Sequence, residues 1–358
     1  MARRLAMVVA AGLVAFLVAG LVRANGVLHL YNWNNYIAPQ TLARFETVCR
    51  CRVAYDTYGS NEELLARLAA GATGYDILVP TGNAVQSLIR AGRLLPLDKR
   101  KLPNLANIDP TYLNGFYDPG NVYSVPYAYT ITLLGYNVEK MRELGIPTDT
   151  WAALFDPRYL KRLRGRVTVL DDPRELLAAA LKYLGYSAND TDPSHWQRAA
   201  EVIINAKPYW AAFNNTSYIR LMASGDVWLA QGYSNDFFQA GREAERAGEP
   251  FTIAFNVPKE GAVLAVDNMV VPKGAPRPDL AYQFIDFMLE GRNASELTNL
   301  IGSGNPNRAA LPFIRPAIAA NRAIFPDHAV LGRLEELHEL DRGQRRFLNR
   351  LWLEIKLH

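Results

Sequence analysis

Residues 27–58, "VLHLYNWNNYIAPQTLARFETVCRCRVAYDTY", decide the fold class. "VLHLYN" has the apolar alternation of a strand, and Pro39 opens a helix through "QTLARFETV" because proline is tolerated at the first helical position; "RVAYDTY" is the next strand. The unit then repeats. "SNEELLARLAAG" is a helix with Ser60 and Glu63 spaced as a capping box and Gly71 as its stop, "YDILVP" is a third strand, and "AVQSLIRAG" is the helix after it. Strand and helix alternating three times before Pro96 imply an α/β protein with a mostly parallel sheet.

Toward the N-terminus, residues 1–24 carry Arg3 and Arg4, then an uncharged apolar run over 5–22, then a Val-Arg-Ala exit. This is the layout of a secretory signal peptide, with cleavage expected after Ala24; an uncleaved membrane anchor is the alternative, since the run approaches spanning length. No Leu-x-x-Cys pattern follows, so no lipid anchor on a cysteine is expected. The whole chain has a net charge of +4, and removing Arg3, Arg4 and Arg23 with the leader takes it to +1. A nucleic-acid binder needs a large basic excess on one face, and this chain lacks it. The only cysteines, Cys49 and Cys51 in "VCRCRV", either close a tight disulfide in an exported compartment or remain two partly buried thiols. With no histidine nearby, they do not make a metal site.

Toward the C-terminus, a loop rich in Pro, Asn and Asp separates this first cycle from the apolar strand "TITLLGYN", which places a crossover near Thr130. The second cycle contains "GRVTVLDDPRELLAAALKYLGY", a helix from Pro193 to Ala206, "YWAAFNN", "TSYIRLMASG", "DVWLAQGYSND" and "FFQAGREAERAG". The strands "TIAFNVP" and "AVLAVDNMVVP" suggest a return to the first domain, followed by two helices and a mostly helical, amphipathic tail. About 330 residues after the leader is two domains' worth at roughly 150 each.

In open α/β sheets, ligands lie beyond the carboxyl ends of the strands. Those positions here carry the aromatics Trp33, Tyr36 and Tyr233, the acids Asp172, Glu175, Asp236 and Asp267, and the hydroxyl of Thr81. Aromatic faces attract cations and desolvated carboxylates favour an ammonium neighbour, so the expected guest is a small cation. Each residue also has a purely structural reading. Asp172, Pro173 and Glu175 form a helix start without any ligand, Asp236 can cap the helix ahead of "FFQAGREA", and Trp33 and Tyr36 can be crevice packing. Asp267 is harder to explain structurally, because a buried carboxylate in an apolar strand needs a partner.

Several blocks in order resemble the periplasmic polyamine-binding proteins that feed spermidine and putrescine ABC importers: "LHLYNWNNYIAP", "YDILVPTG", "LLPLDKRKLPNLANIDP", "VYSVPYAYTITLLGYN", "VLDDPRELLAAALKYLGYSANDTDP", "VPKEGAVLAVDNMVVPKGA" and "NPNRAALP". The resemblance implies the two-lobed type II periplasmic binding-protein fold, each lobe a mostly parallel sheet flanked by helices. One lobe would span 27–130 and 266–311, and the other 131–265 and 312–358. It also implies a ligand site at Trp33, Asn34, Asn35, Tyr36, Thr81, Asp172, Glu175, Tyr233, Asp236 and Asp267. Asn34 and Asn35 stand where the family has a hydroxyl and an acid, Tyr233 where it has a tryptophan, and Ala265 and Ser303 where it has aromatics. An amide accepts a hydrogen bond from an ammonium but supplies no charge.

The implied protein is a monomeric periplasmic receptor for a putrescine- or spermidine-class polyamine, delivered to an ABC permease at the inner membrane, with no cofactor. A receptor for another small organic cation and a sensor subunit on the same fold are the alternatives. A hydrolase using two strand-end carboxylates finds no further support: there is no Ser-His-Asp order or phosphate loop, and His29, His195, His328, His338 and His358 are scattered.

Overall fold

Val27–Trp33 (β1) and Arg52–Tyr58 (β2) pair in parallel, in register from Val27 opposite Arg52 to Trp33 opposite Tyr58. The computed structural model describes residues 26–358. The leader, its cleavage after Ala24 and the anchor alternative therefore lie outside the described residues. Between the two strands runs the helix Pro39–Cys49, opened by Pro39 and closed by Arg50 in the left-handed conformation (φ 52°). Directly after it, Cys49 and Cys51 are joined in a disulfide, which decides between the two readings of that pair. Ser60 caps the helix Asn61–Ala69 by accepting the Glu63 N–H, as its spacing predicts; the Glu63 carboxylate takes the Gly59 N–H at 2.8 Å, so the capping box is not reciprocal.

The remaining strands are Ile77–Leu78 (β3), Ser124–Asn137 (β4), Val167–Val169 (β5), Ala212–Phe213 (β6), Leu229–Tyr233 (β7), Ile253–Asn256 (β8), Ala262–Val270 (β9) and Leu334–Glu335 (β10). They form one hydrogen-bonded path, β2-β1-β3-β9-β4-β7-β5-β6, with β8 on β4 and β10 on β9. The pairs β1/β2, β1/β3, β5/β7 and β5/β6 are parallel; those that β4 makes with β7, β8 and β9, and that β3 makes with β9, are antiparallel.

Two strands carry the sheet across the whole molecule. The Ser124 end of β4 and the Val270 end of β9 belong beside β3, whereas Thr132 and Tyr136 of β4 pair with β7. The apolar cores divide at the same place. Leu28, Phe45, Ile77, Val125, Met269 and Phe284 share one cluster, while Ile131, Trp151, Leu176, Trp196, Leu229 and Phe237 share another. Two lobes thus share β4 and β9, which is how an apparent break near Thr130 coexists with an unbroken strand.

The helix Pro193–Ala206 has the bounds its sequence predicts. The tail is mostly helix, as its sequence predicts, but it is interrupted: His328–Leu331 is one turn, β10 follows, and Arg342–Leu357 is the long element. The physical reason is long-range. Glu335 accepts hydrogen bonds from Lys182 Nζ at 2.7 Å and Ala188 N at 3.2 Å, which hold the chain extended against the second lobe. Among the described residues no helix is long and apolar enough to cross a membrane.

Candidate functional site

The end of β1 turns sharply, and the turn sorts its side chains. The carbonyl of Tyr36 accepts from Tyr127 Oη at 2.8 Å and Asn32 Nδ2 at 3.2 Å, and Asn35 adopts the left-handed conformation (φ 54°), which asparagine tolerates. Trp33 and Tyr36 consequently face inward while Asn34 and Asn35 are exposed. Tyr36 Oη donates to Asp267 Oδ2 at 2.7 Å, across 231 residues of sequence. Trp33 is only partly available to a guest: its indole N–H donates to the Val79 carbonyl at 2.8 Å, and its ring lies 4.7 Å from that of Tyr58.

Asp267 is the centre of this half of the site. It sits on β9 opposite Ala128 of β4, bridges Thr81 through the backbone, and is only 4% exposed. Its Oδ1 has no hydrogen-bond partner. Burial pushes its carboxyl up to about 7, against the pull of the Tyr36 hydroxyl. The Thr81 hydroxyl is already committed, donating to Asn83 Oδ1 at 2.8 Å.

The second half lies four residues along β4, where Thr132 pairs with Tyr233 of β7; at about 3.3 Å per residue this is roughly 13 Å away. Asp172 caps the helix Pro173–Tyr183, its Oδ1 accepting from Arg174 N at 2.8 Å and Glu175 N at 3.0 Å, so the capping reading holds. Glu175, 8% exposed, has Oε2 without a partner, and burial followed by the charge of Asp172 pushes its carboxyl up to about 8. The Tyr233 phenol is pushed well above its ordinary value by burial and by Glu175, Asp172 and Asp236 around it. Asp236 is not the helix cap: the helix is Ser234–Ala247, preceded by Tyr233, and Asp236 lies inside its first turn with Oδ2 accepting from the Tyr218 hydroxyl. Burial raises its carboxyl to about 6.

The buried acids Glu175 and Asp267 have no ion-pair partner among the described residues, although each retains an unpaired oxygen. Thr132 Oγ1 on β4 and Asn235 Oδ1 on the helix Ser234–Ala247 are unpaired as well. Unpaired buried acceptors with aromatic neighbours can hold ammonium donors, and Arg174, whose charge is felt by Asp172 and Glu175, only partly offsets theirs.

The chain matches the family model described as bacterial extracellular solute-binding protein over residues 42–326. It is 56% identical over 347 residues to a putrescine/cadaverine-binding protein of Pseudomonas aeruginosa, covering 96% of this chain and 98% of that one. The chain belongs to this solute-binding family. It is also 34% identical to the putrescine-binding periplasmic protein PotF of Escherichia coli, over 97% of this chain and 96% of that protein. Among solved structures, a putative spermidine/putrescine ABC transporter protein from Listeria monocytogenes superposes with a TM-score of 0.82 at 33% identity, covering 92% of this chain and 99% of that one. Asp267 and Tyr233 flank the stretch of β4, from Ala128 to Thr132, that lies where the two apolar cores divide.

Sequence reasoning missed several residues that the fold brings to these acid clusters. Tyr58 and Tyr127 add rings around Asp267, which contributes to raising both phenols, though burial does more; only the aromatic alternation of "VPYAYT" hints at Tyr127. Tyr218 reaches Asp236 from another helix, and Glu336, just after β10, is a further acid that burial raises to about 7. Neither has a local signal.

Proposed function

We propose that this solute-binding protein is a periplasmic receptor for a short linear polyamine of the putrescine and cadaverine class. One ammonium is held by Asp267 and Tyr36, the other by Glu175 and Asp236 beside Tyr233, and the methylene chain runs between them along β4. The observation that carries this reading is the pair of buried, unpaired carboxylate oxygens on Asp267 and Glu175. Leaving such groups unsatisfied costs free energy that a dication at that spacing recovers.

The lobes would be 27–130 with 266–311 and 131–265 with 312–358, the β4 boundary falling between the Asp267 and Tyr233 pairings. Closure about β4 and β9 brings the two acid clusters onto one ligand. The apolar leader supports export to the periplasm, and the likeness to a putative spermidine/putrescine ABC transporter of Listeria monocytogenes supports delivery to an ABC permease. Calorimetric titration of the mature protein with putrescine, cadaverine, spermidine, spermine, agmatine and basic amino acids tests the reading. Saturable binding of a diamine more tightly than of any amino acid is expected; binding of none of the amines would overturn it.

A further inference from the structure

Away from the crevice, a cavity of about 390 Å³ lies between Gln40, Arg242, Glu296, Asn299, Leu300 and Arg315. Its walls come from both lobes. Gln40 belongs to the helix Pro39–Cys49, whose Phe45 is in the first core, and Glu296, Asn299 and Leu300 to the helix Gly291–Ile301, whose Leu297 packs with Tyr36. Arg242 lies on the helix Ser234–Ala247, and Arg315 adjoins Ile314; both segments pack into the second core through Phe237 and Ile314.

The charges in this seam do not balance. Glu296 is neutralised by Arg44 at 2.7 Å. Among the described residues neither Arg242 nor Arg315 forms an ion pair with a carboxylate, although the charge of Glu245 reaches Arg242; Arg242 donates to the Leu300 carbonyl at 3.4 Å and Arg315 Nη2 to the Asn299 carbonyl at 2.5 Å. Those carbonyls end a helix, and a helix C-terminus offers only about half a negative charge against two full positive ones. The guanidinium carbons lie 5.8 and 6.0 Å from the same Phe238 ring, and burial, then Arg246 and Arg315, lower the affinity of Arg242 for its proton. Leu300 lines the cavity and is 38% exposed; Phe313, 53% exposed, is fixed next to it because Asn299 Nδ2 donates to its carbonyl at 2.9 Å, and Leu311, two residues earlier on the same helical turn Arg308–Phe313, is 47% exposed.

We propose that this seam is a docking pocket for an acidic side chain of a partner protein, with the exposed rim seating apolar residues next to it. A free inorganic anion would gain from the two arginines but could not cover Leu300, Leu311 and Phe313, so the occupant is a peptide segment. Because the two walls belong to different lobes, the segment fits only one relative position of the lobes. That is what a membrane importer needs in order to sense a loaded receptor, and this use of the pocket rests on the receptor reading above.

The test is NMR titration of the mature protein, saturated with putrescine, with acetyl-Phe-Asp-Glu-Leu-amide and with its neutral counterpart acetyl-Phe-Asn-Gln-Leu-amide. The acidic peptide is expected to bind at least tenfold more tightly and to shift the Asn299 and Leu300 amides. The Arg242→Gln/Arg315→Gln double variant, which keeps donors for the helix carbonyls, should lose that preference while its putrescine affinity stays within twofold. Equal binding of both peptides, a preference surviving in the double variant, or displacement of the acidic peptide by an equal concentration of inorganic phosphate would each overturn the docking pocket. If putrescine fails to bind but the acidic preference persists without it, the receptor reading falls and the pocket stands.

Discussion

The two halves of the proposed site are built from the same kinds of residue, yet their acids are used differently. At the helix Pro173–Tyr183, Asp172 spends one oxygen on the Arg174 and Glu175 amides and thereby holds Glu175 in place. On β9, Asp267 has no helix start to serve. Its backbone is already paired in the sheet, its Oδ2 takes the Tyr36 hydroxyl and its Oδ1 takes nothing. An acid at a helix N-terminus is thus partly a structural group, whereas an acid on a central strand is free for a ligand. The β9 half should therefore answer to substitution mainly through binding, and the helix half through both binding and folding.

Trp33→Ala should have the largest effect and tests how sharp that contrast is. Trp33 anchors the end of β1 to Val79 and packs on Tyr58, so its loss should cost about 2–4 kcal/mol of stability, toward the lower part of the range for large-to-small aromatic changes because the ring is only half-buried. The melting temperature of the empty protein and the affinity for every polyamine should fall together. A variant that lost affinity at unchanged melting temperature would make Trp33 a ligand contact alone.

Asp267→Asn should weaken diamine binding by about 1.5–3 kcal/mol, the scale of a hydrogen bond to a charged group, without destabilising the empty protein, because asparagine keeps an acceptor for Tyr36 and removes a buried charge. Asp172→Asn should weaken binding less, since asparagine still caps the helix. Calorimetry and thermal melts on both variants decide this. A larger binding loss at Asp172 would break the contrast between the halves.

The pH dependence follows from the same burial. The carboxyls of Asp267, Glu175 and Asp236 are raised to about 7, 8 and 6 in the empty protein. Because the folded state holds these protons more tightly than the unfolded chain, stability of the empty form is highest near the ordinary carboxylate range and declines as pH rises toward 8. In the proposed receptor, ammonium binding requires the ionised forms and runs the other way. Putrescine affinity should fall at least about tenfold from pH 8 to pH 6, with protons released on binding at pH 7. Titrations in two buffers of different ionisation enthalpy measure that release, and none would mean the acids are already ionised.

Much of this was readable from local pattern. The β1–helix–β2 order, the helix Pro193–Ala206, the Asp172 cap and the placing of candidate residues at strand ends all depend on periodicity and on contacts within a few residues. What the sequence left hidden depends on distant chain. Tyr218 finds Asp236 from another helix, Glu335 holds β10 through Lys182, and the Trp33 indole is claimed by Val79. Asp236 as a cap was a misreading of the same origin: the helix begins at Ser234, right after β7 ends at Tyr233. The resemblance pointed to Asp172, Glu175, Asp236 and Asp267 but not to Glu336, and only the fold shows which of their oxygens are already in use.

Asn35→Asp should have the smallest effect, and it probes the β9 half from outside. The resemblance places an acid at this position, which would suggest that restoring the charge adds a full anchor for an ammonium. The turn argues otherwise. With φ at 54°, residue 35 points its side chain to solvent while Trp33 and Tyr36 turn inward, and aspartate accepts that left-handed conformation nearly as readily as asparagine. A carboxylate there acts through water on a ligand whose nearer ammonium already meets Asp267, so the gain should resemble an exposed ion pair, below about 1 kcal/mol or roughly fivefold, and should shrink as salt is added. Affinities measured at low and at physiological ionic strength separate the cases. A gain of more than about tenfold that survives salt would show that residue 35 enters the crevice when a polyamine is bound, and that the turn after β1 rearranges to bring it there.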